Sequence, residues 1–229
     1  MAVSNQKTQA VKALLVVDVQ EDFCSKNGSL AIPNGSDTIP IINKLLNLPF
    51  ALKIASKDWH PKSHVSFASN HQGKKPFLDL ISIRNPANAE EEKKVCLWPN
   101  HCVVDTFGAE LVSELAVHKI DLVIKKGTEE NAEMHSMFYD IWGKDSGLLN
   151  ILREKNVTDV LVVGVAFDYC VKETAIHAAE EGFRTIVIKE ATKATSTENW
   201  RLTEKDLFKS GVKVLSIDDD VIHGILDGS

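Results

Sequence analysis

Leu14-Leu15-Val16-Val17, followed directly by Asp18, is the stretch on which the fold class turns. It is apolar at every position, with none of the alternate polar residues that a half-solvated strand carries. Such a run fits a strand buried on both faces, as in a parallel sheet covered by helices on each side. Leu161-Val162-Val163 repeats the pattern. With the other β-branched runs, the chain predicts strands at residues 13–19, 52–56, 121–125, 160–164, 185–189 and 213–217. Helices are predicted between them at 39–48, 109–118, 147–155, 170–181 and 198–209. In the fourth, Ala175, Ile176, Ala178 and Ala179 form an apolar face, and Gly182 supplies a stop just beyond. Strands alternating with helices argue for an α/β fold, a three-layer α/β/α sandwich on a six-stranded parallel sheet.

The 229 residues suffice for one substantial core, and 44% hydrophobic residues is ordinary for a folded chain. We expect a single domain over residues 1–229, with residues 1–11 as a flexible N-terminal extension. The 26 Lys and Arg against 32 Asp and Glu leave a formal charge of -6, so nothing electrostatic points to nucleic acid or an anionic membrane. No apolar run approaches the roughly 20 residues that span a bilayer, and the polar N-terminus lacks a signal-peptide layout. The four cysteines (Cys24, Cys96, Cys102 and Cys170) form no CxxC pair. They read as thiols of a cytoplasmic protein, of which at most one does chemistry. The sequence leaves a homo-oligomer open.

One stretch breaks the rhythm of strand and helix. About fifty residues, rich in His, Pro, Asn and charge, separate the second strand from the helix predicted at 109. Residues 88–94 read as solvated surface, whereas 58–64 and 97–102 do not look like filler. In doubly wound sheets, ligands bind at the carboxyl ends of the strands. Asp18, Asp58, Lys126 and Cys170 each follow a predicted strand, so this topology brings all four to one edge.

Cys170 opens a predicted helix after a short turn from strand 160–164. There the helix dipole and free N–H groups favour a thiolate and could bind an oxyanion. Asp18 ends a buried strand, where desolvation should raise its pKa and suit it to proton transfer. Lys126, beside a carboxylate and a thiol, would favour the charged forms of both. Singly, each has a bland alternative: a structural cysteine, a capping aspartate, a solvated strand-end lysine. The set decides. Asp58 and His60 lie two apart in Asp58-Trp59-His60 and point one way if extended. With His101 they make an Asp/His/His set suited to a divalent metal such as zinc, iron or manganese, with positions left for water or substrate. His64, His71, His118, His135, His177 and His223 are taken as non-ligands, with His64 and His135 the two to watch.

These segments together resemble the nicotinamidase/pyrazinamidase branch of the isochorismatase-like cysteine hydrolases, especially the fungal type. The matching stretches are residues 15–23, 28–35, 56–67, 97–102, 125–127 and 163–171, in the family's order over nearly the whole chain. The resemblance implies hydrolysis of nicotinamide to nicotinate and ammonia, in NAD salvage. Cys170 would attack the carboxamide and form a thioester, Asp18 would move the protons, and Lys126 would stabilise the thiolate. Ala166 and Cys170 would supply the oxyanion-hole amides, with the Val165–Ala166 peptide cis. A metal at Asp58, His60 and His101, zinc by preference with iron or manganese as alternatives, would bind the pyridine nitrogen. Phe23 and Trp98 would wall the ring.

Two rivals stand beside this reading: an amidase for another small amide or carbamoyl compound, and an inactive binding protein on the same fold. The complete metal set argues against the first, and the intact Asp18, Lys126 and Cys170 against the second. A dinucleotide-binding oxidoreductase is set aside, because Asp18-Val19-Gln20-Glu21-Asp22 follows the first strand where a GxGxxG turn would be needed. One departure from the family concerns the pocket wall, where His135 stands in the slot usually held by Tyr. Histidine is smaller and titrates near neutrality. His135→Tyr is therefore expected to change KM for nicotinamide or the pH dependence of the rate; superimposable kinetics for the two proteins across pH would refute this.

Overall fold

The computed structural model describes residues 10–220 and Ile222. Along the chain run β1 (Lys12–Val17), α1 (Glu21–Cys24), α2 (Ile39–Leu46), β2 (Leu52–Asp58), β3 (Leu80–Asn85), β4 (Asn88–Cys96), β5 (Leu122–Lys126), α3 (Leu148–Glu154), β6 (Asp159–Val165), α4 (Lys172–Glu180), β7 (Arg184–Lys193), α5 (Thr197–Lys209) and β8 (Lys213–Leu215). Six of the strands form one sheet in the order β5-β2-β1-β6-β7-β8, and every neighbouring pair is parallel. The apolar run of β1 lies in its middle, with Val16 level with Ala55 on one side and Val163 on the other.

Both faces of that run are covered, as its composition requires. Leu14 and Val16 pack toward Ile42, Leu45 and Leu46 of α2. Ala13, Leu15 and Val17 pack the opposite way, toward Leu148 and Leu152 of α3, Ala175 and Ala178 of α4, and Leu207 of α5. All five β1 residues are fully buried, and each such Leu or Val stabilises the fold by about 1.5–3 kcal/mol relative to exposure. The result is the three-layer α/β/α sandwich. Among the described residues, no helix is long and apolar enough to cross a membrane.

Several expectations need correction. Residues 109–118 form no α-helix: single 3-10 turns at Phe107–Ala109 and Val117–Lys119 flank an isolated bridge from Leu111 to Gln20 and a turn at residues 113–114. Backbone groups there bond outward instead, Val112 N–H to Val19 O at 3.0 Å and Ala116 N–H to Asn43 Oδ1 at 2.8 Å. The satisfied backbone removes the need for a helix, while Val112 and Leu115 still cover the α2 face. Residues 88–94 are exposed as expected, but they belong to β4, which pairs antiparallel with β3. Charge hid this strand; Arg84 and Glu92 pair across it at 2.7 Å. Lys93 Nζ donates to Ile141 O at 2.5 Å and fastens the hairpin to the body. At the N-terminus, residues 1–9 lie outside the described residues. Val11 is already tied, its carbonyl accepting from Thr158 and Asp159 N–H at 2.8 and 3.1 Å.

β5 is an edge strand of the sheet. The chain beyond it folds back, so that Met137 and Phe138 are fully buried beside Ile124. Between β1 and β6 the backbones leave no room for a side chain at Gly164, which has φ +110 and where a Cβ would lie 2.0 Å from Val17 O. Neither backbone can retreat without opening the sheet at the site's edge. Gly164→Ala is expected to cost about 3 kcal/mol in urea denaturation, and a loss below about 1 kcal/mol would show that the two strands can part cheaply.

Candidate active site

The parallel register delivers Asp18, Asp58, Lys126 and Cys170 to one edge, as the topology predicts. Asp58 and Lys126 are the last residues of β2 and β5 and stand opposite each other. Asp18 follows β1 with φ 49, turning the chain sharply off the strand. Cys170 lies within one π turn, Phe167–Val171, between β6 and α4. Lys126 Nζ is the hub: 2.9 Å from Asp18 Oδ2, 2.5 Å from Asp58 Oδ1, 3.4 Å from Cys170 Sγ and 3.1 Å from Met134 O. Ser56 Oγ donates to Asp18 Oδ1 at 2.7 Å and accepts from Asp18 N–H at 3.2 Å. All of these side chains are buried.

Their proton affinities follow from that enclosure. Burial raises Asp18 above the ordinary carboxylate range; Lys126 opposes this, and Asp58 adds to it. Burial also pushes Asp58 upward, but Lys126 and His60 outweigh it and hold this carboxyl well below its usual value. Burial would neutralise Lys126, yet Asp18, Asp58 and Cys170 keep its ammonium charged. Cys170 is the surprise. The start of a helix predicts a depressed thiol, but burial pushes it well above its ordinary value, with Lys126 pulling down and the two carboxylates pushing up. The resting group is thus a thiol beside a carboxylate, Asp18, that has itself been made more basic. Such a pair is set up for proton transfer.

Asp58 serves a second cluster through its other oxygen. His60 Nε2 and His101 Nε2 lie 3.4 and 3.9 Å from Asp58 Oδ2. One ligand atom from each of the three falls within 4.8 Å of the others, and all three residues are buried. Each imidazole is anchored through Nδ1, His60 on Gly127 O and His101 on Pro99 O, both at 2.8 Å. With Nδ1 donating to a carbonyl, a neutral imidazole keeps its Nε2 lone pair for the shared space, as a metal ligand must. Two carboxylates against one ammonium leave a net negative charge here, which a divalent cation offsets. The donor set therefore fits a divalent metal ion. His64 does not join it: Nδ1 is engaged by Ser66 Oγ at 2.8 Å and Nε2 by Ala132 O at 3.1 Å, and the ring packs against His60. His223 lies outside the described residues.

A cavity of about 420 Å³ opens onto both clusters, with Cys170, Ala166, Asp58 and His101 in its wall. Phe23, Trp98 and His135 line it as expected. The Val165–Ala166 peptide is cis. Sequence reasoning missed Tyr169, whose ring lies between Trp98 (5.1 Å) and His135 (5.7 Å) in the same wall. Its place beside Cys170 was the available signal. Glu133 was also missed: it lines the cavity, and although burial pushes its carboxyl up, the imidazoles of His135, His64 and His60 bring it down to about 2. Nothing in Glu130-Asn131-Ala132-Glu133 distinguishes it from surface charge. Ser56 and Gln20 escaped notice as well; Gln20 clamps Asp58 by accepting its N–H and donating to its carbonyl, both at 2.8 Å.

Residues 12–219 match the isochorismatase domain. The chain belongs to the isochorismatase family. Within that family it is similar to the nicotinamidase of Schizosaccharomyces pombe, 38% identical over 216 residues that cover 93% of this chain and 96% of that one. Among solved structures it is similar to the yeast nicotinamidase bound to the inhibitor nicotinaldehyde, with a TM-score of 0.85, 33% identity and coverage of 90% and 99% of the two chains. It is also similar to the pyrazinamidase of Pyrococcus horikoshii in complex with zinc, with a TM-score of 0.71, 31% identity and the same coverage of 90% and 99%.

Gly127 joins the two clusters in space. It has φ +64, and a Cβ there would lie 2.3 Å from His60 Cε1 and 2.6 Å from Nδ1. Gly127→Ala should displace the imidazole and weaken divalent-metal binding by about 10–100-fold, read by competition with a chromogenic chelator. Wild-type affinity in that variant would show that His60 is free to adjust.

Proposed function

We propose that this chain, as one domain, is a nicotinamidase that hydrolyses nicotinamide to nicotinate and ammonia through a thioester on Cys170, in NAD salvage. The observation that carries the reading is the contact of one buried ammonium, Lys126 Nζ, with Asp18, Asp58 and Cys170, directly beside the Asp58, His60 and His101 donors. The likeness to nicotinamidases over nearly the full length of both chains supports it.

In this mechanism Asp18 takes the thiol proton as Sγ attacks the carboxamide carbon. Lys126 stabilises the sulfur as its charge develops and keeps Asp18 turned toward it. The amides of Ala166 and Cys170 receive the oxyanion. Asp18 then passes its proton to the departing nitrogen, ammonia leaves, and the acyl group remains on sulfur. A water molecule deprotonated by Asp18 attacks the thioester, freeing nicotinate and restoring the thiol. Phe23, Trp98 and His135 enclose the pyridine ring. Asp58, His60 and His101 would hold a divalent cation, zinc in our reading, which would supply a Lewis acid for the pyridine nitrogen of the substrate.

Ammonia release from nicotinamide should fall by at least about a thousandfold in Cys170→Ala, with the metal content of the protein unchanged. Equal rates for the two proteins would overturn the mechanism. Chelation should also suppress turnover of nicotinamide and pyrazinamide by the wild type, and zinc should restore it. Undiminished turnover in a demonstrably metal-free sample would instead favour an amidase for another small amide.

A further inference from the structure

The turn that carries Cys170 is unusual, and two residues outside the cavity's catalytic cluster explain why it persists. Val171 N–H donates to Ala166 O at 3.1 Å, five residues back, and Tyr169 N–H shares the same acceptor at 3.1 Å. A five-residue closure is one residue wider than an α-helical turn and is rare outside functional sites. Left alone, such a turn competes with ordinary α register, which would carry the sulfur elsewhere.

Two side chains within the turn are fastened to the start of α5. The buried Asp168 carboxylate accepts from Thr195 N–H at 3.0 Å, from Asn199 Nδ2 at 2.9 Å, and from Thr195 Oγ1. Asn199 Nδ2 also donates to Thr195 Oγ1 at 2.9 Å, closing a three-residue ring of hydrogen bonds. Asn199 is itself placed by the helix cap, its N–H donating to Ser196 Oγ at 3.1 Å. Next to Asp168, Phe167 stacks on Trp200 with centroids 4.1 Å apart and planes at 25°. Consecutive residues, one charged and one aromatic, thus pin the turn to one wall, two and three positions ahead of the thiol.

We infer that Asp168 and Asn199 are positioning residues for Cys170, holding its turn in π register so that Sγ stays at the Lys126 ammonium. The inference rests on Cys170 being the nucleophile. Charge-assisted hydrogen bonds to a buried carboxylate are strong and directional, which suits them to fixing a backbone register. Thr195 also lines the cavity, so the same ring of bonds connects the turn to the pocket wall. A displacement of the reacting sulfur by about 1 Å is enough to lose two orders of magnitude in rate.

Asn199→Ala and Asp168→Asn test this in the full-length, metal-loaded protein. Thermal unfolding, kcat and KM for nicotinamide, and the pH dependence of iodoacetamide alkylation at the Cys170 peptide should be measured together. Asn199→Ala should stay folded, lose about ten- to a hundredfold in kcat with KM within about twofold, and show a displaced alkylation profile. Asp168→Asn should lose more. Wild-type kcat and an unmoved alkylation profile in both variants would overturn the inference, and so would a rate loss no larger than the loss of folded protein. Cys170→Ala in the same assay keeps the two readings apart: activity there would remove the nucleophile, whereas inactivity there with a fully active Asn199→Ala would remove only the positioning role.

Discussion

An ammonium with no access to water is the constraint around which this site is organised. Lys126 is enclosed at the end of β5, and such a charge survives burial only with partners close on every side. Asp18 and Asp58 supply them from β1 and β2, and the thiol supplies a third contact from beyond β6. Removing either carboxylate would leave a buried charge uncompensated, which costs more than a lost surface pair. The sheet order β5-β2-β1-β6 is what makes the arrangement possible, since it sets these four chain segments side by side at one edge.

The same constraint divides the labour of the two carboxylates. Asp18 has one oxygen on Ser56 and the other beside the ammonium, and its proton affinity rises. Asp58 has one oxygen on the ammonium and the other facing two imidazoles, and its proton affinity falls. Two aspartates at matching strand ends thereby acquire opposite characters, one suited to receiving a proton and the other to staying ionised. Neither character belongs to the residue type: burial prevails at Asp18, whereas at Asp58 Lys126 and His60 outweigh it.

How much of this was legible in the sequence depends on the kind of signal. Strands buried on both faces announce themselves by composition, so the sheet and its layers could be read from runs such as Leu14 to Val17. The β3–β4 hairpin could not, because a solvated two-stranded ribbon held by pairs such as Arg84 with Glu92 has the composition of a loop. Residues 109–118 misled in the other direction: apolar spacing suited a helix, but the backbone found partners in Val19 and Asn43. In the site, residues at strand ends were legible from topology and family likeness. Glu133, Ser56 and Gln20 were not, since their importance comes from contacts across long sequence separations. The upward push of burial on the Cys170 thiol was not legible for a related reason. Its position along the helix was visible, while its enclosure beside two carboxylates was not.

The place of β5 at the sheet's edge has a consequence for how the protein wears out. The hub lysine sits on the outermost strand on its side of the sheet, beside returning chain in which Met134 lends it a carbonyl and Met137 and Phe138 pack in one cluster with Ile124 of the same strand. Proteins open locally with free energies that range from near zero up to that of global unfolding. Water reaching Lys126 during such an opening would dissolve the charge balance on which the thiol depends, while β1 and β6 remained packed. The integrity of the site and the durability of the core are then two separate quantities.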